Sequence, residues 1–421
     1  MRVDGFAQRA VVMLKRVFRC VNAEHGMASD APQLQRALVD SLKQRGKLEN
    51  PQIEAAFLAV PRHLFLTDLP LEDIYSDRAL PTKRDSTGAV VSSSSQPSMM
   101  VLMLNQLRLK RGERVLEIGG GTGYNAAIMA HIVGSEGHVT TVEFDTDLAQ
   151  RARENLQRVG MTGSSVEVIA GDGSLGYLPN APYDHIIATV GIWDVPNTWL
   201  QQLKPGGLIV APIWLDALQM SAAFRRQNDD SLFSDDNIPC GFITLRGEAA
   251  GPLLQKRVGS SALSLLSGDV DKIDDIALHL LLSDDAGQGY MGLPLTAGDF
   301  WQGFMPYLML NEPAWAVFVF YAIDSEQQAY GMDGQGFALI GKGSACFVPY
   351  EGAGNTFCFG GADAFVALQE YVSAWDSAGR PNSERLRLLL TPKDSPQQAA
   401  SMNGKAYPRH EHILYAWLEN T

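Results

Sequence analysis

Between Arg114 and Pro212 the chain alternates two kinds of hydrophobic pattern. Short, mostly apolar runs at Arg114–Gly119, His138–Glu143, Ser165–Ala170, His185–Val190 and Leu208–Pro212 predict strands. Apolar residues at helical spacing over Tyr124–Val133 and Asp147–Val159 predict helices between them. Strand–helix alternation of this kind predicts βαβ units, and so a doubly wound, mainly parallel α/β sheet that binds ligands at the carboxyl ends of its strands. Upstream, Leu34, Leu38 and Leu42 mark a helix over Pro32–Arg45. A second helix covers Pro51–Val60, stopped by Pro61, and a third Pro97–Leu107. Asp85–Ser95 is poor in large apolar residues and predicts a loop.

Past Trp214 the regularity fails. Gln227–Asp236 is polar and acidic and predicts a surface loop. Strand-like runs follow at Ala316–Ile323, Gly336–Ile340, Ala345–Pro349 and Leu386–Thr391, with helical patterns at Asp271–Leu282 and Asp363–Ala378. The predicted organisation is an N-terminal extension (1–28), an α/β domain (29–225) and a C-terminal α+β domain (245–421). The extension holds an apolar run of only about four residues against the ~7–15 of a signal peptide, and Met27 is an alternative start.

The 421 residues exceed one ordinary domain, and 46% apolar with 19% charged residues is a soluble, globular composition. A net charge of −13 argues against a nucleic-acid partner. No apolar run is long enough to span a bilayer. Cys20, Cys240, Cys346 and Cys358 lack metal-ligand spacing, so the expectation is reduced thiols in a cytoplasmic protein without a metal. The oligomeric state is not readable from the sequence.

The strongest motif is Val115-Leu116-Glu117-Ile118-Gly119-Gly120-Gly121-Thr122-Gly123-Tyr124, at a strand-to-helix turn. A dinucleotide turn of G-x-G-x-x-G form would need glycine at Tyr124. The spacing is instead Glu117-x-Gly119-x-Gly121-x-Gly123, and an acidic residue before the glycines suits S-adenosylmethionine, whose sulfonium and ammonium are cationic. Glu143, ending the next strand, is a candidate for the ribose hydroxyls. Asp172, in Gly171-Asp172-Gly173, is a candidate for the adenine amino group, with Gly173 beside it.

These residues and several others resemble the protein-L-isoaspartate O-methyltransferase family. The resemblance runs from about Gln33 to Trp214. It includes Val60-Pro61-Arg62-His63-Leu64-Phe65, Tyr75-Ser76-Asp77-Arg78-Ala79-Leu80-Pro81, Ser94-Ser95-Gln96-Pro97 and Ala181-Pro182-Tyr183-Asp184. It implies a class I methyltransferase fold and methylation of a peptide carboxylate, with Ser95 on the family's substrate-contacting serine and Ser94 and Gln96 alongside. Serines before a helix are also good N-caps, and a helix N-terminus attracts anions. A carboxylate is ionised at neutral pH, so no general base is needed and catalysis reduces to positioning. His63, on a tight turn, is expected to make a structural hydrogen bond.

Two features depart from the family pattern. Val190-Gly191-Ile192-Trp193-Asp194-Val195-Pro196 replaces a small, Ala-rich loop and is expected to place Trp193 and Asp194 beside the substrate. The C-terminal extension, with that loop, resembles homologues that methylate an aspartate of a ribosomally made, constrained peptide, leading to succinimide and isoaspartate. The extension would then recognise peptide; a stabilising or dimerising role is the alternative. General repair of isoaspartyl protein, a small-molecule methyltransferase and a non-catalytic binding protein are the other readings.

Overall fold

The computed structural model describes residues 31–161, 163–293, 295–296, 298–324, 327–351, 354–394 and 404–419. The N-terminal extension, with Cys20 and Met27, lies outside them. Helices α1 (Ala31–Gln44) and α2 (Pro51–Ala59) fall where apolar spacing puts them. Asn50 caps α2 by accepting from the Gln52 amide, 2.9 Å, and Pro51 takes the first turn, where no amide partner is needed.

Asp85–Ser95 is not a loop. Strands β1 (Leu80–Arg84) and β2 (Val90–Ser94) form an antiparallel hairpin, with Leu80 opposite Ser94. Its strands are polar because side chains pair across it: Thr82 Oγ1 donates to Ser92 Oγ, 2.8 Å. Helix α3 (Pro97–Leu107) follows.

The βαβ core is as expected. Strands β3 (Arg114–Ile118), β4 (His138–Glu143), β5 (Val166–Ala170), β6 (Tyr183–Ala188) and β7 (Leu203–Trp214) run parallel in the order β7-β6-β3-β4-β5. Helices α4 (Tyr124–Val133) and α5 (Thr146–Arg158) provide crossovers. Val115, Leu116 and Ile118 are buried between these layers.

Beyond β7 the sheet continues antiparallel through β8 (Gln219–Arg226) and β9 (Leu232–Ser234), with β10 (Asn237–Cys240) also on β8. β9 lies inside the segment expected to be a surface loop. A second, seven-stranded antiparallel sheet follows. It comprises β11 (Gln255–Arg257), β12 (Leu263–Leu266), β13 (Gly287–Tyr290), β14 (Ala316–Ile323), β15 (Gln335–Gly341), β16 (Ser344–Pro349) and β17 (Asn355–Gly360). Helices α6 (Asp275–Leu282) and α7 (Asp363–Ser377) belong to this α+β region.

The chain then returns to the first sheet. β18 (Leu386–Pro392) pairs with β9, β20 (His412–Leu418) with β18, and β19 (Lys405–Pro408) with β20. The region after 245 is the expected α+β domain, with its own seven-stranded sheet, and its last three strands also extend the first sheet to eleven strands. One apolar cluster runs from Ile186 and Trp199 through Trp214 and Phe304 to Leu388 and Leu414. Cys240, Cys346 and Cys358 are free thiols.

Candidate functional site

At the carboxyl end of β3, Gly119 (φ +95°) and Gly123 (φ +83°) take left-handed conformations. A Cβ on Gly119 would stand 2.8 Å from Thr189 Oγ1, so neither backbone nor space admits a side chain. Gly123 opens α4. Between them the Gly121 amide donates to Glu143 Oε2, 2.7 Å, while Glu143 Oε1 accepts from the Asp145 amide, 3.0 Å. Glu143 thus pins the glycine turn. Each carboxylate oxygen retains a lone pair, and the residue lines the cavity beside the turn.

Glu117 also lines this cavity and is fully buried. Asn125 Nδ2 donates to its Oε1, 2.7 Å, and Thr141 Oγ1 to its Oε2, 2.6 Å. Burial pushes its carboxyl up to about 7, against those two hydrogen bonds and with help from the Glu143 charge. A buried carboxylate held ready without a cation suits a cationic ligand. The open turn, Glu117 and Glu143 fit S-adenosylmethionine: Glu117 for its positive end, Glu143 for its ribose.

The polar hairpin end, Ser92 to Gln96, lines the same cavity. Ser94, Ser95 and Gln96 thus share one cavity with the glycine turn. The serines do not cap α3: its N-cap is Gln96, which makes no side-chain cap, and the Ser98 amide donates instead to Asp77 Oδ1, 2.8 Å. The reason is that β2 pairing holds Ser94 in the hairpin. His63 Nδ1 is 2.7 Å from the Tyr75 hydroxyl, the expected structural bond.

Two expected contacts fall elsewhere, and a third residue is partly engaged. Asp172 is next to Gly173, which lines the cavity, without lining it itself. Its Oδ1 accepts from the Ser174 amide and hydroxyl, 2.9 and 2.7 Å, and its Oδ2 from the Glu248 amide, 2.7 Å. Trp193 and Asp194 are not beside the substrate. Trp193 stacks on the Arg409 guanidinium, 3.6 Å from the ring centroid. Asp194 is buried, accepting from His412 Nδ1 (2.9 Å) and from the amides of Val195, Glu411 and His412 (2.8, 2.7 and 3.2 Å). This loop is bulky and acidic because it holds the returning C-terminal strands.

The sequence reading missed the segment Gly241–Arg246, which also lines the cavity. It is tied at Gly191, whose amide donates to Ile243 O and whose carbonyl accepts from the Leu245 amide, both 2.8 Å. At its far end Arg246 pairs with Asp145, 2.6 Å, and lies over the Phe144 ring, 4.7 Å from the centroid. Lys83 on the hairpin reaches the same Asp145, 3.1 Å. Nothing local in the sequence marks this strap; its role comes from lying over the strand ends.

The fold and this site define an S-adenosylmethionine-dependent methyltransferase. Residues 33–250 match the family model described as protein-L-isoaspartate(D-aspartate) O-methyltransferase, and the chain belongs to that family. The match extends past the expected domain end at 225 and takes in the strap. A protein-L-isoaspartate O-methyltransferase of Thermotoga maritima is 42% identical over 206 residues, 48% of this chain and 63% of that protein, so the match spans just under two thirds of that relative. One of Methanopyrus kandleri is 38% identical over 225 residues, 53% of this chain and 96% of that protein. A solved protein-L-isoaspartate O-methyltransferase structure aligns with a TM-score of 0.49 at 28% identity, covering 84% of this chain and 96% of that one.

Replacing Glu143 by Ala should weaken S-adenosylhomocysteine binding by about 1–3 kcal/mol, since ribose hydroxyls lose a partner and the Gly121 amide its anchor. Calorimetry decides: equal affinities would remove the ribose assignment.

Proposed function

We propose that this protein methylates the free carboxylate of isoaspartyl residues in peptides and proteins, as a repair-type carboxyl O-methyltransferase. The observation that carries this reading is the pairing of two sets of side chains in one cavity. The carboxylates Glu117 and Glu143, suited to a cation, and the hydroxyls of Ser94 and Ser95 line the same cavity. The family membership and the names of the relatives support the same substrate.

When bound, S-adenosylmethionine supplies an electrophilic methyl on a sulfonium. The chain's residues do the rest. Glu117 and Glu143 orient the donor. Ser94 and Ser95 donate hydrogen bonds to one carboxylate oxygen, leaving the other free to attack. No histidine lines the cavity among the described residues, which suits an acceptor that is already ionised. The strap and the hairpin cover the reacting groups and limit water, so charge neutralisation between carboxylate and sulfonium proceeds in a less polar medium.

A constrained, ribosomally made peptide as substrate was inferred from the C-terminal extension together with Trp193 and Asp194 crowding the acceptor. Both residues are instead packed against Arg409 and His412, which leaves the loop without a part in choosing the substrate. A linear isoaspartyl peptide should accept the methyl group of methyl-labelled S-adenosylmethionine, with the label lost as methanol on succinimide closure. The matched aspartyl peptide should be slower by at least about tenfold, ~1.4 kcal/mol of transition-state discrimination. A cyclic aspartyl peptide outcompeting the linear isoaspartyl one by that margin would restore the constrained-peptide reading.

A further inference from the structure

We propose that Arg62 is a positioning residue for methyl transfer, acting through Ser94 and Ser95 on the acceptor carboxylate. The inference rests on the carboxyl-transfer reading of the cavity. Arg62 is fully buried. Its Nη2 donates to Ser94 Oγ, 3.3 Å, and to the Ser95 carbonyl, 2.9 Å, and its Nη1 to the Ser76 carbonyl, 3.4 Å. Its Nε has no partner. Among the described residues no carboxylate is hydrogen-bonded to it; Asp77, which pairs with Arg45 at 2.9 Å and accepts from the Ser98 amide, acts on it through charge alone. Its guanidinium also lies 5.8 Å from the centroid of Tyr124, the residue that opens α4 after the glycine turn. One buried cation therefore touches both the hairpin end and the start of α4 without reaching into the cavity.

Two consequences follow for an incoming carboxylate. Ser94 Oγ accepts from the Arg62 cation, 3.3 Å, which turns its lone pairs toward Arg62 and leaves its O–H free to donate. Polarisation by the cation strengthens that donation. The Ser95 carbonyl, which would repel an anion, is held on Arg62 instead. The second consequence is electrostatic. The cavity wall carries the carboxylates Glu117 and Glu143, and its one charged Arg, Arg246, is spent on Asp145. The buried charge of Arg62 behind Ser94 offsets the negative wall where the acceptor sits. It should favour the anionic substrate without favouring the cationic cofactor.

The test is a double-mutant cycle in the full-length protein with Arg62→Lys and Ser94→Ala. Lysine keeps the charge but cannot reach three acceptors at once. Each single variant should lower kcat/KM for a linear isoaspartyl peptide by about tenfold or more, the scale of one lost charge-assisted hydrogen bond. S-adenosylhomocysteine affinity should stay within about twofold. The double variant should fall short of the multiplied single losses, because both remove the Arg62–Ser94 interaction while the Ser95 contact is lost only with Arg62. Fully multiplicative losses, or an Arg62→Lys protein with wild-type kcat/KM, would overturn the proposal. Arg62→Gln, which keeps one donor without charge, is the second variant. If neither substitution yields folded protein that binds S-adenosylhomocysteine, Arg62 is a framework residue and the proposal falls. A wild-type protein inactive on every isoaspartyl peptide would instead sink the functional reading beneath it.

Discussion

Glu117→Gln will raise the melting temperature of the cofactor-free protein at pH 8 and abolish its stabilisation by S-adenosylhomocysteine. Burial raises the Glu117 carboxyl from 4.5 to about 7 in the folded protein. A folded-state value above the unfolded one means that the folded state binds the extra proton. The resulting stability is complete below the unfolded value and is lost as pH rises through about 7. The span is worth about 3 kcal/mol at 1.36 kcal/mol per unit. Glutamine avoids that loss, since its oxygen accepts from Asn125 and its amide donates to a reoriented Thr141 hydroxyl at the positions of the present bonds. The gap between wild type and variant should narrow as pH falls and close only below the unfolded value of 4.5.

The same residue should set the pH dependence of cofactor binding. The α-ammonium that S-adenosylhomocysteine shares with S-adenosylmethionine needs the ionised form, so affinity in wild type should fall by up to about tenfold per pH unit below about 7. In Glu117→Gln, thermal shift at a concentration of S-adenosylhomocysteine that gives wild type about 2.7 kcal/mol should show nothing. Retained binding, or an unchanged apo melting curve, would mean that Glu117 is not the cation's partner. The stability lost in the empty site is thus recovered on binding.

The parallel core was legible because its signals are local. Strands such as Val115–Ile118, buried on both faces, read as apolar runs, and glycines with positive φ mark the turn that follows. The hairpin was not legible, because Ser92, Ser93 and Ser94 pair through hydroxyls and backbone rather than through an apolar face. Asp172 read as an adenine partner from its sequence position; its carboxylate also caps Ser174 and accepts from the Glu248 amide, ties that no local pattern announces. Asp194 was misplaced for a different reason. Its partner His412 lies 218 residues away, and no pattern around either residue announces the pairing. The return of β18–β20 to the first sheet is likewise a matter of strand order, which hydrophobic periodicity does not encode.

That return changes what deletion of the C-terminus should do. Were the region from 245 a separate recognition module, truncation would spare cofactor binding and raise KM. We expect instead that a chain ending before β18, at residue 384, will not fold. Leu386, Leu388, Leu390, Leu414 and Ala416 are fully buried, and their loss opens the apolar cluster shared with β7 and β8. Three buried or nearly buried carboxylates also lose their partners. Asp194 loses His412. Asp216 and Glu312 lose Lys405, whose ammonium lies 3.3 Å from Asp216 Oδ2 and bonds Glu312 Oε1. Removing one partner of a buried pair costs about 3–5 kcal/mol, against a total stability of roughly 5–15 kcal/mol. Asp194→Ala in the full chain isolates one such loss and should cost about that amount, read as a lowered urea midpoint. Burial raises the Asp194 carboxyl, but His412 and the backbone amides hold it below the usual range. Its contribution is therefore present above the unfolded value and is lost as pH falls through the folded one. The wild-type advantage over Asp194→Ala should shrink in acid. A truncated protein that folds and binds S-adenosylhomocysteine as wild type does would show that β18–β20 are an accessory to the sheet and not part of its core.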